Sequence, residues 1–257
     1  MILLFTSQNP ASRNIALKLI GEQGFAPAGE GRWQKGAHAL IETNAPSVLE
    51  VPTDFETDCI IVLSTHKSKV REKIMTAHYP GNWSKADMGG SPRTLNVADP
   101  SRLKIIFREM KKEADRIGWK CGLEADHHGP NGSVPMIFVE IGSTEEEWQD
   151  LGAASAMAAA LARALELGGK CDCFLAFGGG HYPKAFEKLL LEGELGISHI
   201  APKYAIDQID EEMFAQALAK CKDKVVKVLV LKDETNAAQK AKIAALAAKH
   251  SLEVELI

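Results

Sequence analysis

No apolar run in this sequence approaches the roughly 20 residues that a helix needs to cross a bilayer, so nothing in it reads as a membrane span. Short catalytic signatures are missing as well. There is no GxxxxGK[ST] phosphate loop, no GxGxxG fingerprint, no HExxH helix and no GxSxG elbow, which removes the local motifs of several nucleotide-binding, zinc-protease and serine-hydrolase families. Cysteine is scarce and unpaired, at Cys59, Cys121, Cys171, Cys173 and Cys221. An odd number, with only a CxC spacing at Cys171 and Cys173, makes neither a disulfide framework nor a paired zinc site. A reducing cytoplasm is the compartment that fits. Positive charge is not in excess: 30 Lys and Arg stand against 34 Asp and Glu. That argues against extended electrostatic wrapping of nucleic acid and leaves room for a local basic face.

What is present is an ordinary globular composition, 46% hydrophobic and 25% charged over 257 residues, enough for one large α/β domain or two small ones. The opening MILLFT lacks the basic stretch and long apolar core of a signal peptide and is expected as a first strand. Pro10 then opens a helix that stops at Gly21 to Gly24. HALIET and SVLEV are expected strands, CIIVLS a strand covered on both faces, and residues 76–99 a long loop. Pro100 opens a helix through Ile117, and KCGLE and PMIFVEIGS are strands. Thr144 and Glu147 form a capping box for one helix that runs through an alanine-rich stretch to Gly168. From Cys171 onward strand and helix alternate to the end of the chain. The alternation predicts an α/β fold with a mixed, mainly parallel sheet and helices on both faces. With no repeat, linker or low-complexity segment, residues 1–257 are expected to form a single domain.

In an open α/β sheet, ligands bind beyond the carboxyl ends of the strands. Four histidine-bearing segments fall there: STHKSK (His66), EADHHGP (His127, His128), GGGHYP (His181) and ISHIAPKY (His199). Glu140 ends a further strand. One such histidine is most often a satisfied core or surface residue, but four in the same topological position point to a site if their strands are neighbours. Before His181, Gly178, Gly179 and Gly180 lack the Cβ atoms that would forbid positive φ or keep a ligand from the amides. Pro183 marks a first helical turn whose N–H groups suit an oxyanion, a phosphate or a carboxylate; the plainer reading is a tight turn and nothing more. His66, His127 and His181, with Glu140 or Asp126, offer the donor types of Zn²⁺. Equally, one carboxylate-oriented histidine can serve as a general base. Two basic stretches are either solvated faces or phosphate contacts: HKSKVREK, with Lys67, Lys69, Arg71 and Lys73, and residues 101–120.

The blocks STHKSK, EADHHGP, VEIGSTEEEW, FGGGHYPKAF and HIAPKYAID, in this order, resemble the archaeal and plant type of D-aminoacyl-tRNA deacylase. The resemblance runs from the first strand to about Asp207. It implies a three-layer α/β/α fold like that of the phosphorylase and peptidyl-tRNA hydrolase group. It also implies a cytoplasmic hydrolase, described as using zinc, that cleaves the ester between a D-amino acid and the 3′ ribose of tRNA. The partner is then a tRNA charged with a D-amino acid, with no membrane and no obligate protein partner. His66, His127 and His181 are the expected metal ligands, and His127, His181 and Glu140 the residues that activate or orient water. Lys67, Gly179, Gly180, Tyr182 and Lys203 are expected to hold the substrate. Tyr182, Tyr79 or Trp83 could stack the single-stranded CCA end, and core packing is an equal alternative for each. Two other readings stand beside this one: a peptidyl-tRNA hydrolase- or nucleoside phosphorylase-like enzyme, and a tRNA- or nucleotide-binding module without catalysis.

Overall fold

The computed structural model describes all 257 residues, which form two compact units. The first comprises Met1–Ala77, Ile105–Gly122 and Gly132–Gly168, and the second His78–Lys104, Leu123–Asn131 and Gly169–Ile257. The chain passes back and forth between the units, which is why the sequence contains no linker or shift in composition.

The first unit is built on an eight-stranded sheet. Its order is Ala26–Pro27, Arg32–Lys35, His38–Glu42, Ile2–Phe5, Ile60–Lys67, Met136–Ser143, Ile74–His78, Lys120–Leu123. The central strands His38–Glu42, Ile2–Phe5, Ile60–Lys67 and Met136–Ser143 pair in parallel, and the edge at Arg32–Lys35 is antiparallel. Ile60 to Leu63 and Met136 to Val139 are fully buried, as continuous apolar runs in covered strands should be. Leu4, Val48, Val62 and Phe138 share one core cluster on this sheet. The alanine-rich helix Leu151–Glu166 packs on the helix Pro10–Glu22, and its small side chains, among them buried Ala153, Ala156 and Ala160, permit the close approach.

Three local expectations need correction. SVLEV is not a strand: the Ser47 hydroxyl accepts from Leu49 N at 3.2 Å and Val48–Glu50 turns into a 3-10 helix, a local bond that competes with a sheet ladder. The helix expected from Thr144 to Gly168 is broken. Its capping box forms, with Thr144 N donating to Glu147 Oε2 at 3.1 Å, but it closes only Glu145–Trp148. Asp150 then accepts from Ala153 N at 2.9 Å and starts Leu151–Glu166 afresh, so a second strong N-cap wins over continuation. Residues 76–99, expected as loop, include the end of the strand Ile74–His78 and the ribbon of Gly81–Asn82 with Thr94–Leu95. A strand buried at every position shows no alternation in its sequence.

The second unit carries an all-parallel sheet in the order Gly196–Ala201, Cys173–Phe177, Val225–Val230, Glu253–Leu256. Helices Lys184–Glu192, Glu211–Ala219 and Ala237–Lys249 connect these strands, the right alternation for a parallel sheet. Its core joins Phe177, Phe214, Val228 and Ile243 with Trp83. Trp83 Nε1 donates to Ile200 O and Tyr79 OH to Ile197 O, both at 3.1 Å, which satisfies the polar ends of two buried aromatics. The α/β class with mainly parallel strands is therefore as the sequence predicts, but the strand before His66 and the strand before His181 belong to different sheets. No helix is long and apolar enough to cross a membrane.

Candidate active site

In the second unit, one buried carboxylate organises the turn that follows Leu123. Asp126, only 3% exposed, accepts from Ile200 N at 2.9 Å through Oδ1 and from His199 Nδ1 at 2.5 Å through Oδ2. Asp126 N returns a bond to Ile200 O at 3.2 Å, Ala125 N donates to His181 O at 3.0 Å, and Gly81 N donates to His128 O at 2.8 Å. The turn bearing Glu124, His127 and His128 is thus tied to the strand Gly196–Ala201, to the segment of His181 and to Gly81. His199 Nε2 faces Lys220 O at 3.0 Å, so both ring nitrogens meet acceptors and both carry protons. Burial opposes that charge, but the Asp126 carboxylate outweighs it and the His199 pKa is raised above its ordinary value.

Four imidazoles converge beside this turn. The ring centroid of His127 lies 4.1 Å from that of His78, 4.5 Å from His128 and 4.5 Å from His181. Burial first, and then the charge that His78 and His128 would carry, drives the His127 pKa well below its ordinary value despite nearby Glu124. His127 is neutral at pH 7. Nδ1 of His78, His127 and His128 faces Tyr79 O at 2.9 Å, Ala125 O at 2.9 Å and Gly129 O at 2.5 Å respectively. A carbonyl only accepts, so in each neutral ring the proton sits on Nδ1 and the lone pair on Nε2. One donor atom from each of these histidines lies within 4.8 Å of the other two. That is a donor set for a metal ion whose ligands are oriented by second bonds to backbone carbonyls. His128 reaches its place at a φ of 49°, a left-handed conformation that His adopts more readily than most residues.

Glu124 completes the group. Its side chain is fully buried, with Oε2 2.6 Å from His181 Nε2 and 3.6 Å from His127 Nε2. In the tautomer of His181 that carries its proton on Nε2, the nitrogen facing this carboxylate, the lone pair is on Nδ1. The side chain of His181 is 36% exposed and lines a cavity of about 390 Å³ together with His127, His128, Trp83, Met88 and Tyr204.

The glycine run ahead of His181 is now explained in part. Gly178 and Gly179 have φ of 114° and 79°. A Cβ on Gly178 would stand 2.9 Å from Leu231 Cβ, and one on Gly179 3.1 Å from Pro183 Cβ. Gly178 N already donates to Ala201 O, and Gly179 O accepts from Lys203 N, both at 2.9 Å. The chain's own turn is sufficient reason for these two glycines. Gly180 is different, because a Cβ there meets nothing within 4 Å. Pro183 is the N-cap of Lys184–Glu192 and not a residue of its first turn.

Of the other expected residues, His66 and Glu140 meet in the first unit, with Nδ1 and Oε2 3.5 Å apart and both side chains almost fully buried. Gly142, the register partner of His66, makes room for it: a Cβ there would lie 2.7 Å from His66 Cδ2. Lys67 follows as an exposed residue. In the second unit, the Tyr182 ring stands edge-on to His181 with centroids 4.9 Å apart. The Lys203 side chain reaches towards Glu234 at 3.7 Å and lines a separate hollow with Thr235 and Gln239. Tyr79 and Trp83 are core residues, 1% and 3% exposed, with Trp83 at the inner wall of the cavity. Arg71 of the first basic stretch and much of the second are occupied within the protein. Arg71 pairs with Glu146 and Glu147, and Lys111, Lys112 and Arg116 pair with Asp115, Glu109 and Glu113. Buried Lys104 donates to Gly193 O and Leu195 O. Sequence reasoning missed His78, Glu124 and Tyr204. His78 and Glu124 both lie at or just after strand ends, the signal that found the other histidines, but the strand before His78 is hidden by its lack of periodicity.

A family model described as D-aminoacyl-tRNA deacylase matches residues 53–255. A D-aminoacyl-tRNA deacylase of Pyrococcus furiosus is 33% identical over 243 residues, covering 89% of this chain and 89% of the relative. One of Ignicoccus hospitalis is 38% identical over 198 residues, covering 74% and 79%. A crystal structure of a conserved protein of unknown function superposes with a TM-score of 0.90 at 26% identity, covering 99% of this chain and 94% of that one.

Two outcomes follow from this geometry. Gly178→Ala should lower the urea midpoint by the equivalent of about 1–3 kcal/mol, through strain at positive φ and the clash with Leu231, while Gly180→Ala leaves it unchanged; equal midpoints would remove the steric account of the turn. The second concerns pH. Because the folded pKa of His199 is raised, its stabilising contribution is complete below the ordinary value of about 6.5 and is lost as pH rises through the folded value. Unfolding midpoints of the wild type should therefore fall more steeply with rising pH above that value than those of Asp126→Asn, and parallel slopes would show that the pair does not carry the charge.

Proposed function

The chain belongs to the D-aminoacyl-tRNA deacylase family, and from that membership we propose that it hydrolyses the ester joining a D-amino acid to the 3′ ribose of tRNA. The observation that carries the mechanism is the 2.6 Å contact of His181 Nε2 with buried Glu124, at the wall of the cavity. In this reading the His181 proton is on Nε2, facing Glu124, and the lone pair is on Nδ1. That nitrogen can take a proton from water as the water attacks the ester carbonyl, and return it to the departing 3′ oxygen. The carboxylate stabilises the imidazolium formed between these steps. Exposure of His181 lets water and substrate reach it, and burial of Glu124 strengthens its field. The amides of the turn from Gly179 to His181 are the proposed donors to the carbonyl oxygen as it gains charge, and open space at Gly180 supports approach there.

The histidines beside this cavity also suit zinc. His78, His127 and His128 would hold it, His127 being kept neutral by burial as a ligand must be. Bound there, the ion would supply Lewis acidity next to the ester. This set lies within one unit and shares His127 with the expected His66, His127 and His181.

The test is deacylation of D-Tyr-tRNA and L-Tyr-tRNA side by side. Only the D ester should be lost faster than its spontaneous rate, and His181→Ala should lower kcat by about 10²–10⁴-fold, the usual worth of a general base, with an unchanged melting curve. Survival of both esters would refute the activity, and normal turnover by the variant would refute the base. Zinc titration by calorimetry is a separate readout: His127→Ala should weaken binding at least roughly tenfold, and equal affinity would exclude the three-histidine set.

A further inference from the structure

We propose that Tyr204, with Met88, forms the seat on which the terminal adenine of the tRNA stacks, an inference that rests on the deacylase reading of the same cavity. Large apolar side chains exposed to solvent are few on this chain. Two of them, Met88 at 57% and Tyr204 at 64% exposure, line the cavity that also holds His127, His128 and His181.

Away from the histidines, the polar side chains on that cavity are Asn82, Ser84, Lys85, Asp87 and Asp126, and two of them are already engaged within the protein. Asn82 Nδ2 donates to Gly89 O at 2.9 Å and Ser91 O at 3.3 Å, and the Asp126 carboxylate is held by Ile200 N and His199. The apolar part of the lining is a wall of Trp83, Met88, Pro202, Tyr204 and Ala205. A wall of this kind recognises a planar group by its face and not by its edges. The substrate brings two apolar-faced groups, the amino-acid side chain and the adenine. Only the adenine belongs to a nucleotide whose polymer must continue into solvent, so its seat has to be at the open rim. Tyr204 meets that condition, whereas Trp83, at 3% exposure, does not.

Position and rigidity agree with this assignment. Tyr204 lies just beyond the parallel strand Gly196–Ala201, at the carboxyl end where α/β sheets bind ligands. Its backbone is held on both sides, with Lys203 N donating to Gly179 O and Ala205 N to Pro202 O, both at 2.9 Å. The ring is thus presented on a fixed segment, and little freedom is lost when a base lands on it. Exposed Lys85 on the same cavity places positive charge near the adjoining phosphate.

The experiment is a binding cycle with uncharged tRNA, read by fluorescence anisotropy. One tRNA ends in CCA and the other lacks only the terminal adenosine. Tyr204→Ala should weaken binding of the complete tRNA roughly tenfold, in the range for removing one stacked base, while Tyr204→Phe, which keeps the ring, stays within about twofold of wild type. On the shortened tRNA all three proteins should bind alike. An equal loss on both tRNAs, or a Phe variant as weak as the Ala variant, overturns the adenine seat. So does a Tyr204→Ala penalty that appears only with charged tRNA and varies with the amino acid, which would assign the wall to the side chain. Because the cycle needs no turnover, failure to hydrolyse a D ester would refute the deacylase reading without touching this result.

Discussion

The bond pattern of Asp126 is the constraint on which the site depends. A single carboxylate takes a proton donor from His199 and another from Ile200 N, and so fastens a polar turn to the end of a parallel strand. Removing one member of such a buried pair typically costs about 3–5 kcal/mol, because the other is left charged and unsatisfied. The neighbouring residues on the chain are Glu124, His127 and His128. Their positions relative to His78 and His181 follow from where Asp126 holds the backbone, and the pocket rim at Pro202 to Tyr204 continues the strand it is fastened to.

Crowding four histidines together beside one cavity would be costly if all were charged. The second unit avoids this by giving each imidazole different partners. Carbonyl acceptors fix Nδ1–H on His78, His127 and His128, burial keeps His127 neutral, and Glu124 is placed where His181 needs an anion. His199 is driven the opposite way by Asp126. Two residues of the same type, in one compact unit, are held in opposite protonation states by their environments, the usual means by which a protein sets ligands and bases apart.

Much of this was legible in the sequence wherever the cause is local. The apolar run at Cys173–Phe177, the capping box at Thr144 and the stop of the first helix before Gly24 are short-range signals, and each appears in the structure. The ordered blocks around His66, His127, Glu140, His181 and Lys203 pointed to the family. Reading failed where two local signals compete, as at Ser47 and Asp150, and where a fully buried strand shows no period, as before His78. For Tyr79 and Trp83 it left ligand and core both open, since an aromatic in a polar segment looks the same in either place, and the structure buries both.

The sequence by itself determined the α/β class, most of the elements and the family, because periodicity, caps and motif order are properties of neighbouring residues. The tertiary structure alone decided that strands divide between two sheets, that Glu124 is the carboxylate beside His181, and that Gly178 and Gly179 serve their own turn while Gly180 stands open. It also decided which aromatic reaches the rim of the cavity. These are contacts between segments distant along the chain. They are set by the packing of whole elements against one another, and such packing leaves no mark on the local pattern of residues.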